Sequence, residues 1–325
     1  MLAFIVRRGL KAVLVLMAVS LLVFIAVYAI GNPVDILINP PLDAPQRERA
    51  IAALGREQPM WTHILQSVSG ALHGDLGHSY VHDTPALGLI LERLPATLEL
   101  AVTAMLIAVV LGLPMGLWAA LKPKTVAVRT IMAGSMLGIS LPTFWVGLAL
   151  IMLFSVTLGW LPANGRGPTR ALFGIALSCL SLEGWRHLIL PATSLALFNL
   201  AQLVRLARAG TREALRQGYV GFARAKGLRD ARVIGVHALP NSVIPILPVI
   251  GLEFGSVIAF AIVTETVFAW PGMGKLLIDA ISVLDRPIIV AYLLVTALLI
   301  VVVNLVIDIL CAALDPRMRG SEAKS

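Results

Sequence analysis

The chain has 325 residues, 58% hydrophobic and only 14% charged, with a mean hydropathy of +0.89 and a formal net charge of +8. Soluble globular domains carry about 25% charged residues, so this composition excludes one and points to a bilayer as solvent. The positive balance does not call for nucleic acid, because basic residues beside long apolar runs record membrane orientation and no nucleic-acid module is visible.

In chain order, Arg7, Arg8 and Lys11 precede an apolar stretch to about residue 30. That stretch is long enough to cross the ~30 Å hydrocarbon core. No small-residue cleavage site follows before Gly31-Asn32-Pro33, so it is read as a retained first span rather than a secretory leader. Pro33, Pro40, Pro41, Pro45, Pro59, Pro85 and Pro95 then cut residues 31–95 into short elements, with helices expected over 50–54 and 61–72. Runs of about 20 apolar residues place further spans near 96–120, 131–158, 188–207, 242–264 and 288–311, making six with the first near 10–30. Residues 171–182 are apolar but too few for a helix that crosses, and are expected to form an interfacial or packed external segment. Cys179 and Cys311 fall near opposite membrane faces, which argues against a disulfide and leaves no cysteine metal framework.

Charge sets the orientation. With the N-terminus inside, 17 of the 26 basic residues lie on the cytoplasmic side, eight of them between Arg205 and Arg232. The opposite side spreads its nine over far longer loops that also hold most of the acids. The positive-inside rule therefore puts both termini in the cytoplasm, in agreement with an even number of spans.

The basic loop between the fourth and fifth spans holds Gln217-Gly218-Tyr219-Val220-Gly221-Phe222-Ala223-Arg224-Ala225-Lys226-Gly227-Leu228. This reads as a short helix ended by Gly227 as a left-handed cap, followed by a second helical stretch over about 230–239 that meets Pro240. A solvated loop explains its arginines but not Tyr219 and Phe222. A docking helix for a partner explains both.

These residues, followed by His237-Ala238-Leu239-Pro240-Asn241 and Ile244-Pro245, resemble the loop motif of the dipeptide, oligopeptide and nickel type of inner-membrane permease in binding-protein-dependent ABC importers. Against the broader permease pattern of Glu-Ala-Ala, Gly and Leu-Pro, Ala223, Gly227, Leu239 and Pro240 are kept, whereas Gly221 stands where the glutamate would be. The resemblance extends through Gly74-Asp75-Leu76-Gly77-His78-Ser79, Arg93-Leu94-Pro95-Ala96-Thr97-Leu98-Glu99-Leu100, Ser140-Leu141-Pro142-Thr143-Phe144-Trp145-Val146-Gly147, Leu158-Gly159-Trp160-Leu161-Pro162, Glu265-Thr266-Val267-Phe268-Ala269-Trp270-Pro271-Gly272-Met273-Gly274 and Asp315-Pro316-Arg317. Gly31-Asn32-Pro33 departs from the Pro-Gly-Asp-Pro of the family.

The resemblance implies an all-α, six-span type I ABC importer permease in a bacterial inner membrane. Residues 1–30 would be the tail and first span, 31–95 a periplasmic loop, 96–311 the transmembrane domain and 312–325 a cytoplasmic tail. It implies a homologous second permease, two ABC ATPase subunits that bind ATP and Mg, and a periplasmic substrate-binding protein. Tyr219, Phe222, Ala223, Arg224, Lys226, Gly227 and Leu228 would couple to the ATPase. Short peptides are the expected cargo, with nickel or another small solute as the alternative.

Trp270 suits a membrane interface, and Pro271 and Gly272 a tight turn. With Asp75, these residues are candidates for an external gate or receptor rim, beside the plainer reading of an interfacial turn. Gly272-Met273-Gly274-Lys275 is no phosphate loop, since Ala269 and Leu276 stand where glycine and Ser or Thr are required. His63, His73, His78, His82, Asp75 and Asp83 do not match a defined metal site and read as solvated loop residues. Three acids lie within the spans: Glu99, Glu253 and Asp308. Glu253, flanked by Gly251 and Gly255, is the candidate for the translocation path, and the other two are read as structural. Two rivals are a secondary transporter using these acids as a proton relay, which should show inverted repeats, and a membrane enzyme using the external histidines. No such repeats are visible.

Overall fold

The computed structural model describes residues 2–29, 69–70 and 73–314. The expected helices over 50–54 and 61–72, His63, Gly31-Asn32-Pro33 and Asp315-Pro316-Arg317 lie outside them. Helix α1 spans Leu2–Ala29, α2 Ala86–Leu121, α3 Val126–Ser140 and α4 Thr143–Leu150, which runs on as a π-helix over Ile151–Thr157. Strands β1 (Arg170–Leu172) and β2 (Ile175–Leu177) follow. Then come α5 (Leu182–Arg216), α6 (Gly218–Ala225), α7 (Leu247–Val267), α8 (Met273–Ser282) and α9 (Arg286–Leu314).

Among the described residues, four helical stretches are long and apolar enough to cross a membrane: α2, α5, the run Asp230–Val267 that ends in α7, and α9. The pair α3 and α4 can supply a fifth crossing, but it is bent by 113°. The span expected near 131–158 is thus met by a bent pair of helices rather than by one continuous helix. The break falls at Leu141-Pro142, where Leu141 is extended (φ −86°, ψ 132°) because proline disfavours helical geometry in the residue before it.

Helix α2 packs chiefly on α5. Gly112 and Gly116, four apart on α2, make the close approach possible: a Cβ on Gly116 would sit 2.5 Å from the Ala207 Cβ and 2.6 Å from the Val204 carbonyl oxygen. Small residues at this spacing let helices pack where lipid supplies no hydrophobic drive. Helix α5 begins six residues ahead of the apolar run because Ser181 caps it, its Oγ accepting from Gly184 N at 3.0 Å. Helix α2 likewise starts at Ala86 and carries Pro95 inside it.

The chain is overwhelmingly helical, and its one sheet among the described residues is small. Residues 170–177 form an antiparallel hairpin in which Leu172 pairs with Ile175, so Phe173 and Gly174 are its two-residue turn. Both have positive φ (51° and 81°), as a turn matched to strand twist demands. Pro240 does not end the helix before it either. A π-helix over Val233–Ala238 and a 3-10 turn over Ile244–Ile246 re-route the backbone around Pro240 and Pro245 instead.

Candidate functional site

At one end of the bundle, α5 stops at Arg216 and α6 follows after Gln217. Val220 (fully buried) and Ala223 face inward, packing with Val233, Leu215 and Leu228. Tyr219 and Phe222, on the opposite face, are 40% and 64% exposed. Lys226 Nζ lies 4.6 Å from the Phe222 ring centroid, which keeps the cation on that same outer face. Arg224 Nε donates to Asp230 Oδ1 at 3.2 Å, an exposed pair that contributes little to stability.

Gly227 has φ +77° and donates its N–H to the Arg224 carbonyl, while Leu228 N reaches Ala223 O. This is the left-handed cap that the sequence called for. Its consequence is rigidity: Leu228 folds back into the small apolar cluster beneath α6. Gly221 is exposed, with open space where a side chain would stand.

Deeper in the bundle, Glu253 on α7 is half-buried and accepts from Gln202 Nε2 of α5 at 2.7 Å. The pair joins the two helical runs that flank α6.

The opposite end is held by buried polar groups, most of which the sequence reading missed. Trp270 is buried with no exposure, and its indole Nε1 donates to Ala96 O at 2.9 Å. Glu265 is equally buried and takes Thr97 Oγ1 at 2.6 Å and Lys275 N at 2.9 Å. Thr97 Oγ1 in turn accepts from Met273 N at 2.9 Å. One carboxylate and one hydroxyl thereby satisfy backbone donors at the start of α8, where helix geometry leaves them unpaired. Gly272 and Gly274 are needed for this approach, since a Cβ on Gly272 would overlap the Glu265 carboxylate and one on Gly274 would lie 2.8 Å from Ile262 Cα. The turn between, with Ala269 at φ +46°, is tight and non-helical, and Pro271 and Gly272 sit on its rim.

Glu99 is buried and paired: Arg166 Nη2 lies 2.5 Å from its Oε2, and Cys179 N donates to its Oε1 at 2.6 Å. Arg166 also reaches Ala176 O at 2.7 Å and lies 5.7 Å from the Trp270 ring centroid. One ion pair thus fastens the hairpin to α2 and to the 269–272 turn. Burial, and then the Glu99 carboxylate beside it, push the Cys179 thiol above its ordinary range.

Asp75 is exposed and folds its own loop by accepting from Gly77 N at 2.9 Å. His73, His78, His82, Asp75 and Asp83 do not gather, among the described residues, into a group of three that could hold a metal ion. Glu99 and Glu253 have separate partners, Arg166 and Cys179 N for the first and Gln202 for the second.

Apolar crossings joined by small-residue packing, with an outward-facing short helix at one end and a braced rim at the other, define a multi-pass membrane permease. The chain belongs to the family of binding-protein-dependent transport system inner membrane components, matching it over residues 112–320 and matching the N-terminal component of such systems over residues 1–101. It is 42% identical to the di/tripeptide transport system permease protein DppB of Pseudomonas aeruginosa, over 98% of this chain and 99% of that one. It is 39% identical to the dipeptide transport system permease protein DppB of Escherichia coli K12, with the same coverage. The oligopeptide transport system permease protein AppB of Bacillus subtilis is 36% identical over 98% of this chain and 99% of its own. Among solved structures, an inward-facing MetNI methionine ABC transporter shares the fold, with a TM-score of 0.53 at 15% identity, covering 70% of this chain and 96% of the matched one.

Proposed function

We propose that the chain is one of two homologous permeases of an ATP-driven importer that carries short peptides across a bacterial inner membrane. The observation that carries the coupling part of this reading is α6: Val220 and Ala223 seat it on its own chain, while Tyr219, Phe222 and Lys226 stay outward for a partner. The peptide cargo rests on the relatives, whose names specify dipeptides, di/tripeptides and oligopeptides.

In this reading α1 and the bent α3–α4 pair complete six spans, both termini are cytoplasmic, and the hairpin end faces the periplasm. Two ABC ATPase subunits bind ATP and Mg and receive α6 in a groove. A periplasmic binding protein delivers the peptide to the opposite end. Closure of the ATPases moves α6. Because α5 adjoins it directly and Gln202 ties α5 to Glu253 on α7, both helices follow, and the cavity between the two permeases opens outward. Hydrolysis on the ATPases resets the inward-facing state.

The test is reconstitution of this chain with its second permease, ATPases and binding protein in proteoliposomes. ATP-dependent uptake of a radiolabelled dipeptide is expected, and purified chain alone should give none under a proton gradient. Uptake of nickel but not of dipeptide by the full complex would replace the cargo assignment.

A further inference from the structure

The face that α5 and α7 share carries a polar pair at membrane depth. Glu253 stands ~21 Å along α7 from Val267 at a rise of about 1.5 Å per residue, inside a hydrocarbon core of ~30 Å. Gly251 and Gly255, two residues to either side of it, lie on the opposite face of α7, where a Cβ on either would meet Ile307 or Ile300 of α9. Glu253 is thereby turned away from α9 and toward α5, and Gln202 Nε2 donates to its Oε1 at 2.7 Å.

This bond leaves two acceptors over. Among the described residues Gln202 is the one hydrogen-bond partner of Glu253, and no ion pair includes this carboxylate. Glu253 Oε2 and Gln202 Oε1 have no partner, and neither is sealed from solvent: both side chains are half-buried and both oxygens keep accessible surface. An ionisable group at this depth is held against a wet cavity or a counter-charge, because lipid cannot solvate it. Ser256 and Phe260 continue the face of Glu253 at i+3 and i+7, and Phe198 stands four residues before Gln202 on α5. All three are exposed. The two phenyl rings lie between the polar pair and the hairpin end, so a solute coming from that end passes them first.

Two neighbouring oxygen acceptors, one of them a carboxylate without a cation, are what an ammonium group needs, since it brings three N–H donors and a positive charge. We propose that Glu253 and Gln202 form a recognition site for the terminal ammonium of the peptide, in which Glu253 Oε2 and Gln202 Oε1 each accept one of its N–H groups while Phe198 and Phe260 face its apolar side chains. The site rests on the peptide-import reading above. It adds a step to that reading: after release from the binding protein, the membrane subunit itself selects for a free amino terminus. The carboxylate supplies the selectivity, because an acylated terminus brings no charge to it.

The experiment uses the complete reconstituted importer and a dipeptide whose first residue is a diazirine-bearing leucine analogue and whose second is alanine. The complex is irradiated during ATP-driven uptake, and labelled fragments are mapped by mass spectrometry. Expected is labelling of this chain within residues 195–206 or 249–263, falling about tenfold or more, together with uptake, in Glu253→Gln, the loss of one charge-assisted contact. Glutamine keeps the shape and the bond to Gln202, so the midpoint of thermal unfolding is expected to stay at that of the wild type, and Glu253→Asp, which restores the charge, to recover label and uptake in part. Uptake of the probe by the wild-type complex with no label in those residues overturns the proposal and leaves the import reading standing, as does undiminished label and uptake in Glu253→Gln. A fall in label that accompanies a lower unfolding midpoint and is not recovered in Glu253→Asp overturns it in favour of a packing role. Absence of any dipeptide uptake by the wild-type complex removes the import reading and the proposal together.

Discussion

Thr97 and Glu265, 168 positions apart in the chain, meet in a 2.6 Å hydrogen bond that joins the start of α2 to the end of α7. Thr97 spends both its donor and its acceptor there, giving its hydrogen to Glu265 and taking Met273 N–H. Thr97→Val keeps the shape and removes both roles, stranding a buried carboxylate oxygen and a buried N–H. A loss of about 1–3 kcal/mol is expected for each stranded group, seen as a lower midpoint of thermal unfolding for the detergent-solubilised complex. An unchanged midpoint would show that the Thr97 hydroxyl does not hold α8.

Space, not backbone freedom, explains Gly272, whose φ of −93° suits any residue. Gly272→Ala should therefore lower the yield of folded chain sharply, because the new methyl overlaps the Glu265 carboxylate. Gly218→Ala has open space around it and should be neutral or gain about 0.5–1 kcal/mol. Equal expression and melting of the two variants would refute the difference.

At Gly227 the constraint is the backbone. Proline cannot adopt φ +77° and would also lose the N–H that pairs with Arg224 O. Gly227→Pro is expected to insert normally while losing either co-purification with the ATPases or the coupling of ATP hydrolysis to peptide uptake. Wild-type uptake in this variant would overturn the role given to α6.

Tyr219 and Phe222 are exposed, so their replacement by alanine should leave the melting of the isolated chain within about ±0.5 kcal/mol. Binding should suffer instead. Aromatic anchors at the centre of an interface cost about 2 kcal/mol or more, roughly 30-fold in affinity. The measurement is ATPase retained on the immobilised permease pair, and full retention in the double variant would place the docking surface elsewhere.

Two ion pairs near the hairpin should differ strongly. Arg166 and Glu99 have side chains only 13% and 1% exposed, whereas Arg186 and Glu183 are 49% and 52% exposed. Arg166→Ala leaves a buried carboxylate unpaired, at about 3–5 kcal/mol. Arg186→Ala should cost under about 1 kcal/mol. Limited proteolysis of the hairpin in the two variants separates them, and similar cleavage rates would contradict the bracing role of Arg166.

The element on which the coupling proposal rests was legible because it is local. The short helix, its glycine cap and its apolar residues are written in one continuous stretch, and the structure returns α6 at Gly218–Ala225 with Gly227 at φ +77°. What the stretch did not reveal is which apolar residues are spent at home: Val220 is buried against Val233, a partner that lies beyond the cap. Glu265 is not legible as a buried acid from sequence, because the apolar run of its span ends at 264, one residue before it. The alternation in 170–177 was too short to be told from an apolar stub. Only the pairing of Leu172 with Ile175 and the Arg166 bond to Ala176 O make it a hairpin.

The sequence by itself determined that this chain lives in a bilayer, where its long apolar runs lie and where its basic loop forms a capped helix. Those properties follow from hydrophobicity, from charge beside it and from glycine and proline, all of which act on neighbours in the chain. Tertiary structure alone decided the burial of Trp270, the seating of Glu265 on Thr97 and the docking of the 77–85 loop on Asp285. Each depends on groups far apart in sequence. A carboxylate's partners are set by which helices are brought within hydrogen-bond reach, and no spacing along the chain encodes that distance.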